Sequence, residues 1–429
     1  MARVIFAKRM DGSRTYFKGL NSLRFFAAIA VVLTHVELVK KLLYHECVLW
    51  LKTEDWIIGN AWQSIFREGP PKAISWLSPF VTFGGYFGVI FFFVLSGFLI
   101  TYLLLQEKER SQTIGIKNFY IRRILRIWPI YFLLIFLGFF VFPHIPWFEI
   151  PSQERVLCDN FWFSFITYAT MIPNFGFAYV MESIPNLGQL WSIGVEEQFY
   201  LFWPVFIYYS KKYVRSILIL IALLLCLKIG SVIIIKLFFD GPKINPDLLQ
   251  FNAIDVFQRF LSSLKFEAMA IGGLGACLLF EKRLFYLNII FHKTTQTLAI
   301  LALPAVILFT PTALYKALYL LLSIPCLIII MNVGCNAGSL IRPGNRLFNY
   351  LGKISYGIYM YHLACIALTY HLVDYFSELP FRIPFDQNLL IYTLSVLLTI
   401  LVSALSYRFI ERPFIQRKEK YAIIKSGEV

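Results

Sequence analysis

An arginine and a histidine are the two misfits in "LNSLRFFAAIAVVLTHV", residues 20–36, which otherwise reads as a membrane helix. A charged side chain in a span costs about 2.5–3.5 kcal/mol on insertion scales, so Arg24 and His35 each need a partner or a task. The plain alternatives are snorkelling of Arg24 to the headgroups and an interior hydrogen bond for His35. Eleven positions at 3.6 residues per turn are almost three turns, which places both side chains on one face, roughly 16 Å apart along the axis. A guanidinium suits a phosphate and an imidazole can move protons. The pair therefore fits an elongated anionic ligand lying along the helix, with its reactive end at His35.

Two further segments carry chemistry. In "LWSIGVEEQFYLFWP", residues 190–204, Glu196 is a costly carboxylate at nearly the depth of His35. Bonded to one imidazole nitrogen, it would fix the tautomer and raise the basicity of the other, giving a general base for a hydroxyl nucleophile. A structural bond between helices is the plain alternative. Glu197 points about 100° away and is secondary. Arg122, Arg123 and Arg126 in "FYIRRILRIWPIYFL", residues 119–133, offer guanidinium forks for phosphates, although positive-inside anchoring explains them equally well. No Cys or His spacing suggests a metal site, and none is expected.

Those residues need helices to hold them. Of 429 residues, 58% are hydrophobic, 18% aromatic and only 15% charged, against roughly a quarter charged in a soluble domain. The composition implies an all-α polytopic integral membrane protein. A net charge of +15 would suggest nucleic acid as a partner for a soluble chain, but placement decides here and no nucleic-acid partner is expected. About ten spans are expected, at 20–42, 79–105, 127–145, 189–210, 216–238, 256–280, 296–312, 314–336, 351–372 and 389–410. With both termini cytoplasmic, about 26 of the 40 Lys and Arg fall inside. The expected organisation is a basic cytoplasmic segment over 1–19, a membrane domain over 20–414 and a basic cytoplasmic tail over 415–429. Residues 161–173 are too short to cross and read as a re-entrant or interfacial segment. A disulfide between Cys47 and Cys158, both expected outside, stays open.

Taken in order, the Arg24–His35 spacing, "FGVIFFFVLSGFLIT", "FYIRRILRIWPIYFL", "LWSIGVEEQFYLFWP", "LGKISYGIYMYHL" and "SYRFIERPF" resemble the membrane-bound acyltransferase-3 family over residues 18 to 414. The resemblance implies an acyltransferase that takes a cytoplasmic acyl donor, commonly acetyl-CoA, and acylates an extracytoplasmic carbohydrate or glycolipid. Acetyl-CoA would be a co-substrate, with no permanently bound cofactor. The resemblance places the family's Arg-x-x-Arg pattern on Arg123 and Arg126 and its acidic position on Glu196. Catalysis would then fall to His35 and Glu196, and donor binding to Arg24, Arg122, Arg123 and Arg126. Ser96, Gly97, Tyr200, His362 and Glu411 read as secondary or structural: Ser96 and Gly97 as small residues for close packing, His362 as an interior hydrogen bonder with a second functional histidine as the alternative, Glu411 as one half of an ion pair with an arginine.

The fused extracytoplasmic hydrolase-like domain of some members is not expected here, so transfer would finish within the membrane domain or on a separate extracytoplasmic partner. The expected location is a bacterial cytoplasmic membrane. The acceptor and the length of the acyl chain are not legible. A transporter or flippase would also use intramembrane Arg, His and Glu, and a succinyl or longer donor would use the same arginines. Lys228, Lys265 and Glu267 are assigned no role.

Overall fold

The computed structural model describes residues 8–10, 14–43, 78–150, 154–180, 183–238, 253–309, 318–377 and 387–426. Helices dominate these residues. Strands are limited to β1 (Lys8–Met10), β2 (Arg14–Tyr16) and β3 (Lys425–Ser426), which form a small sheet in the order β1-β2-β3 joining the two ends of the chain. The helices begin with α1 (Leu20–Leu43), α2 (Ser78–Ser111), α3 (Ile116–Phe136), α4 (Glu154–Ala169), α5 (Pro173–Val180) and α6 (Leu190–Tyr209). Then come α7 (Tyr213–Phe238), α8 (Ala253–Ser263), α9 (Phe266–Phe280), α10 (Leu284–Phe291), α11 (Lys293–Phe309) and α12 (Leu318–Cys335). The chain closes with α13 (Arg346–Lys353), α14 (Ser355–Ser377), α15 (Gln387–Ser406) and α16 (Arg412–Lys418), the last two joined through a π-helical turn at Tyr407–Glu411.

Each of the ten segments expected to span carries a helix, but only six are long and apolar enough to cross by length and composition among the described residues, or seven if α10 and α11, bent by 59°, count as one. The others depart from a simple span for physical reasons. Helix α6 carries Glu196 and Glu197, α14 carries His362 and Asp374, and α12 is short. Residues 161–173 do not form one crossing helix: α4, kinked at Asn160, ends at Ala169, and the eight-residue α5 starts at Pro173 after a turn in which Met171 has a positive φ. The Cys47–Cys158 pairing lies outside the described residues; Cys158 is exposed and has no disulfide partner among those described.

Helix α2 is the central post, packed against α1 on one side and α9 on the other. The α2–α9 contact depends on glycine. A Cβ at Gly97 would run into the Met269 carbonyl oxygen, and one at Gly272 would run into that of Val94, so the two backbones touch at reciprocal points. Helix α6 is tied to α2 by the Trp203 indole N–H donating to Thr101 at 2.9 Å. It is tied to α14 by the short Ser192–Tyr359 hydroxyl contact at 2.5 Å and by Gln189, which donates to the Met360 carbonyl at 2.6 Å. Away from this centre, Lys228 pairs with the fully buried Glu267 at 2.9 Å, and Lys228 and Lys265 both stand over the Tyr319 ring.

Candidate active site

Helices α1, α2, α3, α6, α13, α14 and α16 surround a cavity of about 340 Å³. Five cations line it, Arg24, Arg123, Arg126, Lys353 and Lys418, against two carboxylates, Glu196 and Glu411. Such an excess of half-buried positive charge is unfavourable and is relieved by a polyanion. The guanidiniums are positioned but not consumed by protein partners. Arg24 donates to Asn21 Oδ1 at 2.7 Å, and Arg24, Arg123 and Arg126 lie within electrostatic reach of one another. Arg123 stacks over Phe119 and Tyr200, with centroids 5.3 and 5.4 Å away, and its buried Nε has no partner among the described residues. Arg123 and Arg126 are three apart on α3 and so share a face.

Arg122 does not join them. Its guanidinium is held by Glu107 at 2.9 Å and by the Tyr421 carbonyl at 2.7 Å, and it lines a small neighbouring cavity of about 30 Å³. The reason is Glu107, a buried carboxylate that also accepts the Gly115 N–H and captures the nearest arginine. Arg122, expected to bind the donor with Arg123 and Arg126, thus stands outside the cavity lining and ties α2, α3 and the C-terminal segment together.

On α6, the Tyr200 hydroxyl donates to Glu196 at 3.0 Å and meets the Ser96 hydroxyl on α2 in a short hydrogen bond. With Tyr200 donating to the carboxylate, Ser96 must donate to Tyr200, which makes a directed chain Ser96–Tyr200–Glu196 along the cavity wall. Glu197 accepts from the Trp128 indole at 3.3 Å. Among the described residues Glu411 forms no ion pair: it is buried, lines the cavity, and its Oε1 has no partner there.

His35 is not part of the cavity lining, and the expected bond between His35 and Glu196 is not formed. Its Nδ1 lies 2.9 Å from the Val31 carbonyl, one turn back on α1. A carbonyl only accepts, so Nδ1 carries the hydrogen and Nε2 the lone pair. Its ring packs edge-to-face on His362 of α14, with centroids 4.7 Å apart. Tyr359 connects the two regions, lining the cavity and standing 5.8 Å from the His362 ring.

Residues 17–408 match the family described as "Acyltransferase domain". The chain belongs to this acyltransferase family. It is 28% identical over 341 residues to the peptidoglycan O-acetyltransferase OatA of Listeria monocytogenes serovar 1/2a, covering 77% of this chain and 51% of the relative. YrhL of Bacillus subtilis, provisionally named a peptidoglycan O-acetyltransferase, is 28% identical over 357 residues, with 77% and 50% covered. A Staphylococcus aureus (strain COL) protein provisionally named an O-acetyltransferase is also 28% identical, over 354 residues, with 78% and 53% covered. The chain thus spans about half the length of the curated relatives it matches. No solved structure matches it.

Within this chain, the structure gathers Arg24, Arg123, Arg126, Ser96, Glu196, Tyr200 and Glu411 at one cavity and leaves His35 and His362 beside it. Sequence reasoning missed Lys353 and Lys418. Lys418 was legible as the next member of the face Glu411, Ile415, Lys418, spaced four and three apart. Nothing in the local pattern marked Lys353.

Proposed function

We propose that this protein O-acetylates a hydroxyl of a cell-envelope carbohydrate, with acetyl-CoA as donor and with both termini on the cytoplasmic side of a bacterial cytoplasmic membrane. The observation that carries the reading is the cavity in which Arg24, Arg123 and Arg126 stand together, with the Arg123 Nε unpartnered among the described residues. The donor's phosphates would lie against these guanidiniums and Lys418, and its thioester would reach toward Tyr359 and His35. Peptidoglycan enters as a candidate acceptor through the names of the relatives.

In this reading the acceptor oxygen attacks the thioester carbonyl and its proton passes to the bare Nε2 of His35. The carbon–sulfur bond then breaks, the acetyl group stays on the acceptor oxygen, and the leaving sulfur takes up a proton to give free CoA. Glu196 acts on the donor side, holding Tyr200 and through it the stacked Arg123, and Ser96 completes that support.

The test uses purified full-length protein in lipid vesicles with acetyl-CoA carrying a labelled acetyl group and muropeptide or polysaccharide acceptors. Release of CoA together with a labelled ester on the acceptor supports the reading. Failure to bind or consume acetyl-CoA, in a preparation that moves an anionic solute across the vesicle, would turn it into a transporter.

A further inference from the structure

We propose that His362 is the partner of the base: it shares, through its Nε2, the proton that His35 takes from the acceptor hydroxyl. This rests on the reading of His35 as base given above. His362 is fully buried, and its Nδ1 stands 2.7 Å from the Tyr359 carbonyl. The carbonyl can only accept, so this imidazole too is fixed with its hydrogen on Nδ1 and a lone pair on Nε2. That Nε2 has no partner among the described residues, an uncommon state for a fully buried acceptor.

Two imidazoles held as the same tautomer by main-chain carbonyls thus pack edge to face with centroids 4.7 Å apart, and the buried Nε2 of His362 is left without a partner among the described residues. Neutral, they have nothing to exchange. Once His35 gains a proton on Nε2, it becomes a double donor, and the lone pair of His362 is the acceptor beside it. The proton leaves the acceptor oxygen as the new ester bond forms, resides between the two rings, and departs to the CoA sulfur as the carbon–sulfur bond breaks. The nearby carboxylates are committed to other groups: Glu196 accepts from Tyr200, and Glu37 from the Tyr392 hydroxyl. A second imidazole therefore takes the place a carboxylate would have as the stabiliser of the imidazolium.

The competing role is a structural tie through Nδ1 alone, and two amide substitutions separate them. His362→Asn puts an amide N–H about where Nδ1 stands and removes Nε2. His362→Gln puts the amide about where Nε2 stands. For acetyl transfer from acetyl-CoA by the full-length protein, the Asn variant should keep the wild-type KM for acetyl-CoA and lose about tenfold to a hundredfold in kcat. The Gln variant should retain more kcat than His362→Leu. His35→Ala with His362→Asn should be no slower than His35→Ala alone. A wild-type kcat in the Asn variant overturns the proposal. Should the Asn variant fail to fold, equal kcat of the Gln and Leu variants overturns it instead. If His35→Ala itself turns over normally, the reading of His35 as base fails and this inference with it. A slow His35→Ala beside a normal His362→Asn removes this inference alone.

Discussion

Tyr200 donates its hydroxyl proton to Glu196 across 3.0 Å, one turn along the same helix, while the Arg123 guanidinium lies over its ring. One side chain thereby holds an acid and a base of the cavity in fixed relation. Tyr200→Phe keeps the ring under Arg123 but leaves Glu196 and Ser96 without their shared hydroxyl. An unsatisfied buried polar group costs about 1–3 kcal/mol. The midpoint of thermal unfolding in detergent should fall accordingly, and acetyl-CoA affinity should weaken as the Tyr200 ring that carries Arg123 loses its anchor on Glu196; an unaltered midpoint would mean that Glu196 and Ser96 find other partners.

The arginines of α3 should divide sharply. Arg123→Ala and Arg126→Ala, like Arg24→Ala on α1, remove charge-assisted bonds to a phosphate-bearing donor, and should weaken acetyl-CoA binding by about tenfold to a hundredfold at preserved stability. Arg122→Ala should do the reverse. It leaves Glu107 buried without its partner, a loss of about 3 kcal/mol or more, and should unfold at lower temperature with donor affinity intact once folded. Calorimetric titration with acetyl-CoA beside thermal unfolding distinguishes the two classes, and weak donor binding by a folded Arg122→Ala would contradict the assignment.

How much of this was legible in the sequence differs by residue. The face shared by Arg24 and His35 followed from helix geometry, yet only Arg24 borders the cavity, because periodicity gives a direction and not the neighbour met there. For His35 that neighbour is His362, over three hundred residues away in sequence. Spacing alone did not separate the three arginines of "IRRILR"; the resemblance put its Arg-x-x-Arg pattern on Arg123 and Arg126, and Glu107 holds the third. Glu411 was expected to pair because a buried carboxylate normally must, and its unpaired Oε1 shows a cavity wall that local pattern could not reveal. The helical segments themselves were legible because lipid-compatible chains advertise their length and apolarity, and the polar exceptions α6 and α14 are two of the helices that line the site.

Close backbone contact between α2 and α9 yields a packing prediction. Gly97→Val forces a branched side chain against the Met269 carbonyl, and neither backbone can retreat without opening the reciprocal contact of Gly272 on Val94. Overpacking of this kind costs about 1–3 kcal/mol. The variant should show a lowered unfolding midpoint and poor yield in membranes, whereas Ser96→Ala, one residue away on the cavity side, should be milder on both counts. Equal stability of Gly97→Val and wild type would show that the two helices are not in contact.

The separation of His35 from Glu196 makes a prediction about coupling. If they acted as one unit, the double variant would be hardly worse than the worse single one, because the first substitution would already have disabled both. Their partners are different: His35 bonds Val31 and packs on His362, while Glu196 bonds Tyr200. His35→Ala should lose on the order of 10²–10⁴ in kcat, the usual contribution of positioned proton transfer. Glu196→Gln retains an oxygen that can accept from Tyr200, so its loss should be much smaller and should show mainly in KM for acetyl-CoA through the stacked Arg123. In the double variant the two losses in kcat/KM should multiply. A double variant no slower than His35→Ala would instead couple the carboxylate to the imidazole during turnover, which would require α1 and α6 to approach one another once the donor is bound.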